Sequence, residues 1–124
     1  MKLNYVAKII IVDDHPDLQE LFKALLTFNN FDVRSAGSAA ELNALLQFYA
    51  PDLILLDIML GGENGKEICM DIKKKYPAVS IILISASPKL LMNYEECKAD
   101  GFIEKPFDVH VLLDKINSLL AGKN

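Results

Sequence analysis

The chain has 124 residues, of which 52% are hydrophobic and 24% are charged, and its formal net charge is −4. This length and composition predict one globular domain, residues 1–124, and argue against a disordered chain. No apolar run approaches the roughly 20 residues that cross a bilayer, so we expect no membrane insertion. The acidic balance argues against direct nucleic-acid binding, and the basic triplet Lys73-Lys74-Lys75 is expected to be the solvated end of a helix.

The first residues and the cysteines favour a reducing, cytoplasmic setting. Met1 to Lys8 lacks the long apolar core of a signal peptide. Cys69 and Cys97 form no Cys-x-x-Cys pair, so we expect reduced thiols and not a disulfide or a metal pair. Because the chain stops just past its last predicted helix, we expect no output domain in it.

The first part of the chain alternates strand and helix patterns. Ala7–Val12 is a β-branched apolar run that predicts a buried strand, and it stops at Asp13-Asp14. Pro16 favours a helix start, and apolar residues at helical spacing predict a helix that Asn29-Asn30 closes. Phe31–Ser35 alternates apolar and polar residues, which is typical of a strand nearer a sheet edge.

A second helix begins at Ser38-Ala39-Ala40-Glu41, a capping box in which the serine and glutamate satisfy free N–H groups reciprocally. The following apolar run, Pro51–Met59, predicts a strand buried on both faces, yet it contains Asp57. Because an unpaired charge is very costly to bury, Asp57 should lie where this strand emerges. Open α/β sheets place their ligand sites at that end. Taken alone, Asp57 could equally well end the strand and start a turn.

The second half continues the alternation. Gly61-Gly62-Glu63-Asn64-Gly65 predicts a loop that tolerates positive φ. Apolar spacing then predicts a helix that ends at Pro77, and Ser80–Ile84 predicts another buried strand, followed by Ser85-Ala86-Ser87. Pro88–Cys97 is a poorly patterned segment that we interpret as a helix.

The last predicted strand is Gly101–Glu104, followed by Lys105-Pro106. Apolar residues from Val109 to Leu120 define a final helix, with Gly122 suited to its C′ position. The whole pattern is (βα)₅, which predicts a doubly wound, five-stranded parallel sheet with helices on both faces. The expected strand order is 2-1-3-4-5.

Polar groups follow four of the predicted strands: Asp13-Asp14, Asp57, Ser85 and Lys105. In the expected strand order the first and third strands are neighbours, so three carboxylates meet at one crevice. Their repulsion would raise their pKa values unless a cation were present, and Mg²⁺ suits a few oxygen ligands. With a lysine and a hydroxyl opposite, the cluster suits a phosphoryl group. Asp57 would be the nucleophile, because carboxylates can form aspartyl-phosphates.

These motifs together resemble the receiver (CheY-like) domain of two-component response regulators over essentially the full chain, which implies a flavodoxin/CheY-like fold. The residues that carry the resemblance are Ile11-Val12-Asp13-Asp14, Leu55-Leu56-Asp57-Ile58-Met59 with Gly65, Ile84-Ser85-Ala86 and Lys105-Pro106-Phe107.

The resemblance implies a role for each site residue. Asp57 would accept phosphate from a histidine kinase or phosphotransfer protein and pass the signal to a downstream protein. Mg²⁺ would be held by Asp13, Asp14, Asp57 and the backbone carbonyl of Met59. Ser85 would hydrogen-bond the phosphoryl group, Lys105 would pair with it, and Phe102 would be the switch aromatic. The Lys105–Pro106 peptide is typically cis, and the chain would be a monomer or weak dimer, a switch and not a turnover enzyme.

Three features depart from the family pattern. Gly61 stands where proline is usual, which predicts a more mobile loop. Ser85 replaces the commoner threonine, which keeps the hydroxyl but loses a methyl group that limits the rotamers. The stretch from Ser85 to Lys105 is slightly short, which predicts a truncated or irregular fourth helix.

Several alternatives remain open. Asp13-Asp14 could simply cap the first helix. A phosphatase of haloacid-dehalogenase type would need a second aspartate where Met59 stands, and a receiver-like module that never binds phosphate would not need the acids. A Walker A loop at Gly61–Lys66 is rejected because Leu60 and Glu67 occupy key positions.

The remaining polar candidates have plain structural interpretations. His15 could be a metal ligand or a phosphorylation site, but an exposed loop histidine is the preferred interpretation, and His110 is expected at the surface. Ser87, two places past Ser85, lies where family members tune dephosphorylation, or is only a loop hydroxyl.

Overall fold

A computed structural model describes residues 5–122. The prediction that Met1 to Lys8 contains no signal peptide therefore falls partly outside the described residues. The centre of the molecule is a sheet of five strands: β1 Lys8–Val12, β2 Asp32–Ala36, β3 Leu53–Asp57, β6 Ser80–Ser85 and β7 Gly101–Glu104. The sheet is fully parallel, and its strand order is β2-β1-β3-β6-β7. The predicted fold class and strand order are confirmed.

Helices cover both faces of this sheet. They are α1 Pro16–Phe28, α2 Ala39–Leu46, α3 Gly65–Lys75, α4 Pro88–Leu91 and α5 Val109–Ala121. One core cluster joins α2, α3 and α4 to the first face, and a second joins α1 and α5 to the other. Successive strand residues such as Ile54 and Leu55 enter opposite clusters, which explains why the central strands are apolar at every position. No helix among residues 5–122 is long and apolar enough to cross a membrane.

The segment after β3 differs from the predicted loop. Met59–Leu60 (β4) and Glu63–Asn64 (β5) form a small antiparallel hairpin around two glycines. Gly61 supplies the positive φ, 59°, that this turn requires. Glu63 Oε1 accepts a hydrogen bond from Ala39 N at 3.0 Å, so the hairpin is attached to the start of α2.

The fourth helical segment is irregular, as the short sequence interval predicted. The predicted helix Pro88–Cys97 is instead the single turn of α4 followed by a 3₁₀ turn, Tyr94–Cys97. The break lies at Met92, whose ψ of 143° is extended, and at Asn93, whose φ of 58° is left-handed. Neither conformation continues an α-helix.

Three local predictions need correction. Ser38 Oγ accepts the Glu41 N–H as expected, but the Glu41 carboxylate accepts the N–H of Gly37 and not that of Ser38. Gly122 is the C-cap of α5 with φ −72°, so it does not adopt the left-handed C′ conformation. The basic triplet does end α3, and Lys74 and Lys75 are exposed as predicted. Lys73 departs from the prediction, because its Nζ lies 3.0 Å from Asp100 Oδ2 and donates to a backbone carbonyl at the end of the α3–β6 loop.

Candidate functional site

Asp57 is the last residue of β3, at the carboxyl edge of the sheet. Its side chain is only 9% exposed, although it carries a carboxylate. The two carboxylate oxygens have different partners. Oδ1 accepts the backbone N–H of Met59 at 3.0 Å, and Oδ2 lies 3.2 Å from Lys105 Nζ. The Met59 N–H thus orients this carboxylate, and the ammonium group of Lys105 offsets part of the cost of burying its charge.

Lys105 follows β7 and reaches back across the end of the sheet. Its Nζ contacts Asp57 Oδ2 at 3.2 Å and Asp13 Oδ2 at 3.8 Å, so one ammonium group joins the ends of β1 and β3. The Lys105–Pro106 peptide is cis, as expected from the family resemblance.

Asp13 and Asp14 begin the loop between β1 and α1. Asp13 is buried, with a side chain 3% exposed, and Asp14 is more open at 32%. Asp13 Oδ1 accepts the backbone N–H of His15 at 2.8 Å. The N-cap residue of α1 is His15, so the alternative in which the two aspartates cap this helix is wrong, and the other oxygen of Asp13 lies 3.8 Å from Lys105 Nζ.

His15 is more closely involved than an ordinary loop histidine. Its ring is 64% exposed, which agrees with the predicted exposure, but Nδ1 lies 3.0 Å from Asp13 Oδ1 and 3.3 Å from Asp14 Oδ1. A hydrogen bond to Asp13 and the charges of the two aspartates raise the pKa of His15 above its usual value. The sequence signal was only adjacency to two acids, which did not specify the direction of the ring.

Burial dominates the electrostatics of Asp57. Desolvation raises the pKa of this carboxyl above its usual value, and Lys105 and the Met59 N–H only partly oppose the rise. The negative charge of Asp13 makes the smallest contribution. The pattern of acidic residues predicts a rise from mutual repulsion, whereas in the structure loss of hydration is the larger cause of the raised pKa of Asp57.

Ser85 ends β6 beside Asp57 and is 2% exposed. Its Oγ accepts the N–H of Ser87 at 3.0 Å, and Ser87 Oγ in turn accepts the N–H of Leu90. The two hydroxyl groups therefore fix the turn that leads from the sheet edge into α4. Ser87 is therefore the N-cap residue of α4.

Phe102 lies on β7 away from the carboxylates. Its side chain is 40% exposed, so the ring is in an outward arrangement. The Phe102 ring packs against Tyr94, with ring centroids 4.9 Å apart. No motif or spacing in the sequence indicates this role for Tyr94.

The donor set at this edge fits a hard divalent cation. One oxygen each of Asp13 and Asp14 and the Nδ1 of His15 lie within 4.8 Å of one another. Carboxylate oxygens are the ligands that Mg²⁺ prefers, and the ion typically needs only one or two of them. Asp57 lies outside that compact group and is joined to it through Lys105.

Comparison with known proteins identifies the family. Residues 9–117 match the model of the response regulator receiver domain, and the chain belongs to this family. Receiver domains typically bind Mg²⁺ at an acidic pocket, interact with histidine kinases or phosphotransfer proteins, and act as phosphoacceptor switches.

Solved structures agree with this assignment. The receiver domain of NtrX from Brucella abortus is 30% identical with a TM-score of 0.85, covering 91% of this chain and 98% of that one. A CheY-like receiver domain protein from Methanospirillum hungatei is 28% identical with a TM-score of 0.87, covering 95% and 96%. The longer NtrX chain is 30% identical with a TM-score of 0.88, and the match covers 95% of this chain but only 28% of that one.

Proposed function

We propose that this receiver is a phosphorylation-dependent switch in which Asp57 accepts a phosphoryl group. The observation that supports the proposal most directly is a buried carboxylate held 3.2 Å from the Lys105 ammonium at the carboxyl end of the central strand. Carboxylates can act as nucleophiles toward phosphorus. Phosphoryl transfer depends mainly on positioning and on neutralising charge, and these residues are suited to both tasks.

In the proposed reaction, a carboxylate oxygen of Asp57 attacks the phosphorus of a phosphohistidine on a histidine kinase or phosphotransfer protein. The new O–P bond forms as the P–N bond of the donor breaks, and the bonding electrons stay on the departing imidazole nitrogen. Lys105 then pairs with an oxygen of the transferred group, and Ser85 donates its hydroxyl hydrogen to another. The chain catalyses its own modification and does not turn over an external substrate.

The residues proposed to hold Mg²⁺ are Asp13, Asp14, Asp57 and the backbone carbonyl of Met59. When bound, the ion neutralises charge on the phosphoryl oxygens. Asp57 is buried and only partly compensated by Lys105, so a second cation would further stabilise its ionised, nucleophilic form.

The proposed output is a change on the face formed by α4, the Tyr94–Cys97 turn, β7 and α5. A phosphoryl group draws Ser85 and Lys105 toward Asp57, and Phe102 turns inward behind Ser85. The contacts of Ser85 and Lys105 with the phosphoryl group are made in the inward arrangement. The phosphoryl group therefore stabilises this arrangement over the outward one, as a population shift requires. The reader of this face is proposed to be a protein in the cytoplasm, and not a nucleic acid.

The test of the acceptor is Asp57→Asn. We expect this variant to fold but to lose Mg²⁺-dependent labelling by acetyl phosphate, because the amide cannot attack phosphorus. Asp71→Asn, on the exposed side of α3, is the matched control and should be labelled like the wild type. Intact mass spectrometry measures the modification. Equal labelling of Asp57→Asn and the control would contradict the assignment.

A further inference from the structure

The turn that carries Tyr94 is held in a constrained conformation. Asn93 and Lys98, which flank the turn Tyr94–Cys97, both have left-handed backbones, with φ of 58° and 70°. Residues other than glycine seldom adopt this conformation, and it persists where the surrounding structure imposes it. The turn is therefore a fixed support and not a loose end of α4.

Helix α3 provides that support through two side chains. Lys66 Nζ donates to the carbonyl of Met92 at 3.0 Å, just before the turn. Cys69 Sγ donates to the carbonyl of Cys97 at 3.4 Å, at the end of the turn. Since α3 starts directly after the hairpin that follows Asp57, the backbone of the turn that carries Tyr94 is attached to an element connected to the proposed acceptor site.

The ring pair has a favourable geometry. The Tyr94 and Phe102 rings are inclined by 52° with centroids 4.9 Å apart, and aromatic pairs prefer such tilted arrangements. Tyr94 is half-buried against the core cluster on that face, whereas Phe102 is 40% exposed. The more buried ring thus supports the more exposed one.

Strand register shows which way Phe102 would have to move. Phe102 is level with Leu83 on the neighbouring strand, and Glu104 is level with Ser85. Side chains two residues apart on a strand share a face, so Ser85 lies on the same face as Leu83 and diagonally from Phe102. A Phe102 ring that turned toward Ser85 could not keep its present geometry with the Tyr94 ring, whose centroid lies 4.9 Å away.

We propose that Tyr94 is a positioning residue that holds Phe102 outward in the unphosphorylated chain. The inference rests on the proposed function, because it gives the phosphorylation switch a named resting contact that must be broken. An aromatic pair shifts a two-state population by roughly two- to tenfold. Removing the Tyr94 ring should therefore tighten binding of a phosphoryl mimic by about that factor, since less of the binding energy is spent on breaking the pair.

The experiment measures the apparent dissociation constant for beryllofluoride, at saturating Mg²⁺, from amide chemical shifts. Tyr94→Leu keeps an apolar side chain against the core and should bind roughly two- to tenfold more tightly than the wild type. Tyr94→Phe keeps the ring and should match the wild type. In a Phe102→Leu background, Tyr94→Leu should change nothing, which a purely structural role for Tyr94 does not predict.

Equal or weaker binding by Tyr94→Leu, or an undiminished effect in the Phe102→Leu background, would overturn the inference. A second measurement needs no ligand: nuclear Overhauser contacts from the Phe102 ring to Leu83 and Ser85 should grow in Tyr94→Leu. If the wild type fails to bind beryllofluoride, the proposed function fails. The Overhauser contacts then decide the role of Tyr94 separately, and unchanged contacts would refute it.

Discussion

Gly65→Ala tests how tightly α3 is packed against the end of β3, the strand that carries Asp57. A Cβ atom at Gly65 would lie 2.7 Å from Ile58 Cα and closer still to the carbonyl oxygen of Asp57, where ordinary contacts are 3.4–4 Å. Both neighbours are backbone. They cannot move aside easily, because Ile58 N donates to Ile84 O at 3.0 Å and Gly65 N donates to Ile58 O at 2.7 Å.

The magnitude follows from two opposing effects. Forcing an extra methyl group into a packed site costs about 1–3 kcal/mol, and a clash with backbone atoms belongs at the upper end. Replacing glycine by alanine also restricts the unfolded chain, which returns about 0.4–1 kcal/mol. We therefore expect Gly65→Ala to lower the free energy of unfolding by about 2 kcal/mol.

Gly62→Ala isolates the clash, because a Cβ at Gly62 meets no atom within 4 Å. That variant keeps only the unfolded-chain effect, so its stability should equal or exceed that of the wild type. Urea denaturation followed by circular dichroism measures both variants. The difference between them should be about 3 kcal/mol. A difference below about 0.5 kcal/mol would refute the close approach of α3 to the Asp57 carbonyl.

Two further predictions concern charge at the site. Burial raises the pKa of Asp57, so the folded state binds the proton of this carboxyl more tightly than the unfolded state does. Ionisation of Asp57 therefore destabilises the fold, and this loss of stability grows as the pH rises from the unfolded pKa near 3.8 through the raised folded pKa. Asp57→Asn should accordingly have a larger free energy of unfolding than the wild type at pH 7.5 without divalent ions, and this difference should shrink toward pH 4. Urea titrations in which the difference stays constant or grows toward pH 4 would contradict this. Asp14→Ala should weaken Mg²⁺ binding much more than Ser85→Ala, because only the first removes a charged ligand; calorimetry giving equal affinities would contradict the ligand assignment.

Local patterns were sufficient to predict the order of strands and helices. The runs that became β1, β3 and β6 are apolar at every position because both faces of the sheet are covered, and such strands require crossover helices between them. That connectivity, with the polar residues after each run, is sufficient to predict that Asp13, Asp57 and Lys105 lie at one edge of the sheet.

The hairpin after Asp57 and the break within Pro88–Cys97 were decided by tertiary contacts. Glu63 is attached to α2 and Lys66 to the segment before the Tyr94 turn, and both partners are more than 20 residues away along the chain. Periodicity within one segment carries no information about such partners.

The sequence determined which groups gather around Asp57, because strand ends and residue types are local properties. Only the tertiary structure decided that Asp57 is buried and that His15 turns toward both aspartates. It also decided that the Phe102 ring packs against Tyr94. These three features depend on distances between side chains on different elements or on the direction of one ring. The Asp57 carboxylate loses its hydration only when those elements pack around it.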